Sequence, residues 1–557
     1  MKSNVPTVLL AAALSVVLTG ADLPPERVIE LDVIFTNDIH GGIGRLDATF
    51  MNPEFPPPIG AGPSATTYLK KVREEAAAGG REVFLFDSGD MFQGKPVGMY
   101  TEGEAVIDWM NDVGYTAAAL GNHDFDLGWK VTRNLIEQAD FPVMALNVYD
   151  AATGEKVPWM DTWMMKEVEG IKIAILGYVT EATVNMAFAE NVEGLEFRPI
   201  HEVLPGDIEV ANAAGADLVF VLMHNGLPYW PEHEREFALM LERIAAGDFP
   251  HANMNAMEIA HYVPGIDALF GGHIHYGYRD PWEDPVNHTL CFQGFANGSG
   301  LGHVTLRIDR ETKSILGYEG HTSRAYRGRV YDREGTLITL FEEEHWPDPG
   351  MEAEIAAKVA KAEEGLDEVI GETDVYLGRE GTDKGLMGFV VADAYRERLS
   401  ADFAIQNSGG VRADLPVGKI TERDVITVSP FDNNLVWIEV TGAFLKQLLE
   451  DKVRRTGIGL YISGGKVVVD PARPENERIV EMTVGGEPLD PDRMYKLVLT
   501  NYLAQGNSGL WRIRDEYPAE KINYTGIPDA EAIKDYIRRR GTIDPRNDGR
   551  LTIVQGS

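Results

Sequence analysis

Several residues in this sequence have the types and settings that divalent-metal chemistry requires. Asp38 and His40 lie in Asn37-Asp38-Ile39-His40-Gly41-Gly42, and Asp90 in Asp87-Ser88-Gly89-Asp90. Asn122 and His123 lie in Gly121-Asn122-His123-Asp124-Phe125-Asp126, His224 precedes Asn225-Gly226, and His273 and His275 follow Gly271-Gly272. Carboxylate, amide and imidazole donors without a thiolate suit two borderline or hard cations such as Mn, Zn, Co, Fe or Mg, and do not suit an iron–sulfur cluster. His123 can donate a proton to a charged oxygen, and Asp126, three residues on, is spaced to fold back and orient that imidazole. Read alone, the pair is more simply a local hydrogen-bonded turn.

What raises the pattern above such local readings is the apolar run that precedes each group. Leu31–Thr36, Glu82–Phe86, Tyr115–Leu120, Asp217–Met223 and Ile266–Phe270 read as short buried strands, and each is followed by one of these motifs. Ile171–Gly177 is a further strand of the same kind. Acidic residues at buried strand ends demand a charge partner, and loops at the ends of rigid strands are where catalytic groups are placed. Asp38 and His40, two residues apart, can point the same way where a strand runs out, with glycines leaving room for an ion. Ser64 to Ala78 reads as a helix.

With 557 residues the chain exceeds one core, so roughly two to four domains are expected. A formal net charge of −36 and the absence of a basic run argue against nucleic-acid binding. Lys2, the apolar run Val5–Leu18 and Thr19-Gly20-Ala21 read as a secretory signal over residues 1–21, too short to make a stable membrane anchor. An exported protein, periplasmic or extracellular, is therefore expected. Cys291, the single cysteine, sits beside Leu290 and Phe292, so neither a disulfide nor a reactive thiol is expected.

Taken together, Asp38-Ile39-His40, Gly89-Asp90, Gly121-Asn122-His123-Asp124, His224 and Gly272-His273-Ile274-His275 resemble the signature of calcineurin-like metallophosphoesterases in their 5′-nucleotidase branch. The resemblance implies an α/β (α+β) chain with a four-layer α/β/β/α sandwich over residues 28–325. It also implies that Asp38, His40, Asp90 and His275 hold one ion, that Asp90, Asn122, His224 and His273 hold the other, and that Asp90 bridges. His123, oriented by Asp126, would stabilise the phosphoryl or leaving oxygens rather than bind metal.

Residues 345–370 read as a linker helix, apolar at Ile355, Val359 and Ala362, with its charges on a solvated face. Residues 371–555 resemble the α/β substrate-binding domain that accompanies the sandwich in 5′-nucleotidases. Asn407-Ser408-Gly409-Gly410-Val411-Arg412 carries most of that likeness. Its glycines, Gly410 among them, let backbone approach a ligand, Asn407 can read a base edge, and Arg412 offers a planar fork to phosphate. Arg379 is the counterpart of an upstream arginine. Phe431 and Tyr502 correspond to two rings that sandwich a base, although either ring taken singly is as well explained by core packing. Two positions depart from the family pattern. Ser508 stands where a carboxylate usually accepts the ribose hydroxyls, and Phe389 follows Gly388 where Asn is common.

The expected activity is removal of phosphate from nucleoside 5′-monophosphates, with nucleotide diphosphate sugars as further substrates. A hinge rotation at Pro347-Asp348-Pro349-Gly350 would carry the base to the metals. The altered ribose loop keeps 2′,3′-cyclic-nucleotide phosphodiesterase and thiosulfohydrolase chemistry open. A non-catalytic binding protein would require lost ligands, and none of the seven is lost.

Overall fold

The structure is a computed structural model. It describes residues 23–554 except 45, 48–57, 60–61, 229–232, 248, 279, 326–329, 332–336, 339–345, 380, 432, 455–456 and 519–520. The expected leader, residues 1–21, lies outside the described residues.

The apolar runs become two six-stranded sheets. The first contains β1 (Val28–Thr36), β2 (Glu82–Asp87), β3 (Ala117–Ala119) and β4 (Val143–Met144), which pair in parallel. The second is built from β5 (Met164–Val168), β6 (Ile171–Val179), β7 (Leu218–His224), β8 (Ala268–Gly271), β9 (Trp282–Glu283) and β10 (Leu290–Gln293), in the order β9-β10-β8-β7-β6-β5. Strands β11 (Gly300–Asp309) and β12 (Ser314–Ala325) return the chain to the first sheet, whose order is β12-β11-β1-β2-β3-β4.

Alternation along the strands sorts side chains between two layers. In β1, Leu31, Val33 and Phe35 point between the sheets and meet Phe220, Leu222 and Phe270 from the other one. Ile34 points outward, against Tyr68, Leu69 and Val72 of the helix Gly62–Gly79 and Met110 of Glu104–Val113. On the far side Leu176, Val219 and Val221 pack on the helices Ile200–Ala213 and Ala256–Tyr262. This is the expected four-layer sandwich. Phe35 sits near its centre, with ring centroids 5.1 Å from Phe270 and 5.8 Å from Phe292. Its ring fills the space a side chain at Gly302 would need, since a Cβ there would lie 2.0 Å from Phe35 Cζ. Truncating such a ring costs about 3–5 kcal/mol.

The helix Pro349–Ala362 is less free than its sequence suggests. Asp348 caps it, accepting from Gly350 N at 3.1 Å and Met351 N at 3.0 Å, and also binds Lys70 Nζ at 2.6 Å. Ile355 is buried in the core beneath it, and Lys358 pairs with Asp108 at 2.7 Å. The segment expected to act as a hinge is thus fastened to the first half of the chain, and one of the charges assigned to a solvated face is a tether.

In the second half a five-stranded sheet runs in the order Leu460–Ser463, Phe403–Asn407, Met494–Thr500, Asn434–Thr441, Asn523–Pro528. Ala404 faces one core, with Val390, Val391 and Ile533 from the helices Leu386–Arg398 and Asp529–Arg540. Phe403 and Ile405 face the other, with Leu445 and Leu448 of Gly442–Glu450. Among the described residues no helix is long and apolar enough to cross a membrane.

Candidate active site

The parallel strands of the sandwich end at one edge, and the motifs converge there. Asp38, His40, Asp90, Asn122 and His224 are buried, while His273 and His275 are partly buried. Asp38, Asp90, His40 and His224 each have one atom tied down and another turned toward a common focus. Asp38 Oδ2 accepts from Asn37 Nδ2 at 2.6 Å and from the His273 backbone N–H at 2.8 Å, which leaves Oδ1 3.2 Å from His275 Nε2. Asp90 Oδ1 accepts from the His123 backbone N–H at 2.8 Å, leaving Oδ2 3.1 Å from His224 Nε2 and 3.6 Å from His40 Nε2. His40 Nδ1 lies 2.5 Å from the Gln93 carbonyl and His224 Nδ1 2.6 Å from the Ser88 carbonyl, contacts that set each ring and turn its Nε2 inward.

Asp38 Oδ1, Asp90 Oδ2, Asn122 Oδ1 and His224 Nε2 are all buried without a hydrogen-bond partner. Buried polar atoms in folded proteins are nearly always satisfied, so four orphans at one point fit cations. Asp38, His40, Asp90 and His275 bring one ligand atom each within 4.8 Å of one another, as do Asp90, His224 and His273. The two groups share Asp90, and Asn122, whose amide oxygen is orphaned, lies between Gly121 and His123, both of which adjoin Asp90. The donors therefore fit a binuclear divalent centre.

The backbone at the site was not legible in the sequence. Asp38, His40, Asp90, His273 and His275 all adopt left-handed conformations, with φ of 51°, 50°, 60°, 75° and 55°. Side chains seldom adopt this region, at a cost of roughly 1–2 kcal/mol per residue. The turns are held from nearby: Asp38 N donates to Gly89 O at 2.8 Å and His40 N to Asp90 O at 3.0 Å. The sequence also gave no role to Asp124. Its buried carboxylate accepts from Asp90 N at 3.0 Å, Met91 N at 2.8 Å and Gly121 N at 2.8 Å, so it joins the loops that carry Asp90 and Asn122. Burial foremost, then the Asp90 charge, raises the Asp124 pKa to about 7.

His123 Nδ1 lies 2.7 Å from Asp126 Oδ2, as the spacing predicts. Burial opposes charge on this imidazole, but Asp126 and Asp90 outweigh burial and raise its pKa. For His273, burial and then the neighbouring His224 lower the pKa to about 4, which keeps that ring neutral.

The second half reaches this edge through Asn407–Arg412. At Gly410 a Cβ would lie 2.2 Å from Gln406 Nε2 and 2.8 Å from Asn407 Oδ1, so a side chain there would displace both amides. Arg412 Nη2 lies 3.5 Å from His40 Nε2, and its guanidinium carbon lies 5.7 Å from the centre of the Phe431 ring. Phe431 in turn lies 5.4 Å from the His123 ring. Arg379 is braced by Asp414, which accepts from its N–H at 2.8 Å and its Nε at 3.2 Å. Tyr502 is partly buried beside Ser508, whose backbone is left-handed at φ 52° and whose carbonyl accepts from Lys452 Nζ. Phe389 is fully buried in the core against Tyr461, whose hydroxyl donates to the Arg379 carbonyl at 2.6 Å.

A sandwich of this topology bearing these two donor groups is a calcineurin-like phosphoesterase, and the protein is a metal-dependent phosphoric ester hydrolase. Residues 31–277 match the calcineurin-like phosphoesterase family, and residues 360–515 match the 5′-nucleotidase C-terminal domain. The chain belongs to the 5′-nucleotidase family, which joins these two domains. It is similar to a 5′-nucleotidase of Vibrio cholerae, 26% identical over 575 residues that span 96% of each chain. Its fold is similar to that of a 5′-nucleotidase precursor from Thermus thermophilus, with a TM-score of 0.77 and 23% identity over 95% of this chain and 100% of that one. It is also similar in fold to the sulfate thiohydrolase SoxB of Thermus thermophilus, with a TM-score of 0.72 and 20% identity over 96% and 98% of the two chains.

Proposed function

We propose that the protein releases phosphate from nucleoside 5′-monophosphates, and that nucleotide diphosphate sugars are a second group of substrates. The observation that carries this reading is the meeting of two kinds of recognition at one edge. Orphaned metal donors lie on one side, and a guanidinium and an aromatic ring from the second half lie within a few ångströms on the other. In this reading residues 28–325 form the catalytic domain, 345–370 the linker helix and 371–555 the substrate-binding domain. The reading also includes export to the periplasm or the extracellular space after loss of residues 1–21.

Asp38, His40, Asp90 and His275 would hold one divalent ion, and Asp90, Asn122, His224 and His273 the other. When bound, such a pair lowers the pKa of a water and neutralises phosphoryl charge, so no protein nucleophile is needed. Every other part falls to side chains. His123, oriented by Asp126 and biased toward its charged form by that carboxylate, donates to a phosphoryl or leaving oxygen. Arg412 presents paired N–H donors to the phosphate, with Arg379 behind it. Phe431 and Tyr502 take the base by stacking, and Asn407 and Gly410 shape the approach of the backbone.

The Ser508 loop favours a second reading, a 2′,3′-cyclic-nucleotide phosphodiesterase or a thiosulfohydrolase. Ser508 offers a hydroxyl beside the Tyr502 phenol and Lys452 a cation behind it, with no carboxylate at that position to accept a ribose diol. The test is product release by manganese- or zinc-loaded protein from AMP, a UDP-sugar and a 2′,3′-cyclic nucleotide, with His123→Ala as control. Turnover of AMP that collapses in the control supports the first reading. Turnover of the cyclic nucleotide alone replaces it with the second.

A further inference from the structure

The Glu181–Val192 segment of the first half has no part in the metal site, yet it touches both functional regions. Ala187 and Val192 are buried in the same core cluster as Phe125 and Phe197, which seats the segment against the His123 loop. Asn191 Nδ2 donates to the Asp126 backbone carbonyl at 2.5 Å, next to the carboxylate that orients His123. Between these anchors Phe188 is only partly buried, and its ring meets Tyr502 edge-on, with centroids 6.4 Å apart and planes at 86°. Phe188 lies more than three hundred positions from Tyr502 in the chain. Asn434 N, three residues beyond Phe431, donates to Asn501 Oδ1 at 2.9 Å, so the loops bearing Phe431 and Tyr502 are tied side by side. Phe431 faces His123 and Tyr502 faces Phe188.

We infer that Phe188 is a specificity-determining residue, an aromatic wall supplied by the catalytic half that selects planar, base-bearing phosphoesters over phosphorylated sugars. The inference rests on the nucleotidase reading above. An edge-on neighbour holds the Tyr502 ring in the orientation a stacked base requires, and adds apolar surface that a sugar phosphate cannot use. Asn191 fixes this wall relative to Asp126, so base and phosphoryl group are located by one rigid segment.

The test compares AMP with ribose 5-phosphate, which has the same phosphoester and sugar but no base, in wild type, Phe188→Ala and Phe188→Tyr. For each protein the ratio of the two kcat/KM values is taken, and adenosine binding is measured by quenching of intrinsic fluorescence. The expected result is an AMP-to-ribose 5-phosphate ratio reduced by about tenfold in Phe188→Ala, weaker adenosine binding, and recovery of both in Phe188→Tyr. An unchanged ratio with unchanged adenosine binding would overturn the inference, as would an equal loss on both substrates, which assigns Phe188 to seating the Asp126 loop. If wild type turns over neither substrate, the nucleotidase reading fails, and the adenosine-binding comparison alone decides the role of Phe188.

Discussion

Arg412 Nη2 stands 3.5 Å from His40 Nε2, the nitrogen that also faces Asp90, although the two residues are 372 positions apart. A guanidinium from the second half therefore completes a site built by the first. Replacing Arg412 with Ala should lower kcat/KM on a nucleotide by about a hundredfold or more, the usual effect of losing one donor to developing oxyanion charge. Lys should rescue little, because an ammonium lacks the paired donors of the fork. Steady-state kinetics on the two variants checks this, and full activity in Arg412→Lys would show that charge alone is needed.

Asp124 acts on the site without facing its focus. Removing its carboxylate in Asp124→Ala frees the backbone N–H groups of Asp90, Met91 and Gly121 together. Metal affinity should fall about ten- to a hundredfold. Titration calorimetry with Mn or Zn measures this directly. Wild-type affinity in the variant would mean that the loops hold themselves.

The buried donors should also couple metal binding to stability. Chelation should lower Tm, and added Mn or Zn should raise it with the logarithm of ion concentration, because the folded chain alone offers the assembled site. Scanning calorimetry across a metal series reads this. A Tm insensitive to both treatments would contradict the fit of Asp38, Asp90, Asn122 and His224 to cations.

A fourth prediction concerns pH at a buried carboxyl group of the second half, beside the segment that carries Phe431. Asp529 is fully buried and accepts from Ser429 Oγ at 2.9 Å and Tyr395 Oη at 3.3 Å. Burial raises its pKa to about 6. The folded state thus holds this proton more tightly than the unfolded chain, whose Asp titrates near ~3.9. Asp529 therefore favours the fold most at low pH, and this contribution is lost as pH rises from about 4 to about 6. Relative to wild type, Asp529→Asn should gain Tm across that window and run parallel above it. Equal slopes at every pH would show that Asp529 has the same pKa in the folded and unfolded chains.

Much of this was legible because apolar runs and ligand motifs are local. Val219, Phe220 and Val221 announce a buried strand, and the residue that ends it, His224, is read in the same glance. The pairing of His123 with Asp126 is equally local, three residues apart. What escaped depends on partners far along the chain. Lys358 looks like an exposed helix charge until Asp108 comes into view, and nothing in Pro347–Gly350 foretells that Asp348 pairs with Lys70. Phe188 has no motif at all, and only the fold brings Tyr502 to it. The left-handed turns at Asp38 and His275 escaped for another reason, since Asp and His are enriched in that region but enter it only where a surrounding turn holds them.

Those turns set function against durability. At His40 and His275 a glycine would relieve the backbone and would destroy the site in the same step. In the metal-free chain a glycine at either position would therefore favour the fold, whereas in the metal-loaded chain it would forfeit the stability that bound ions bring. A redesign guided by the stability of the metal-free chain should therefore tend to lose these histidines, which makes them a simple marker of whether such a redesign has preserved an enzyme or only a fold.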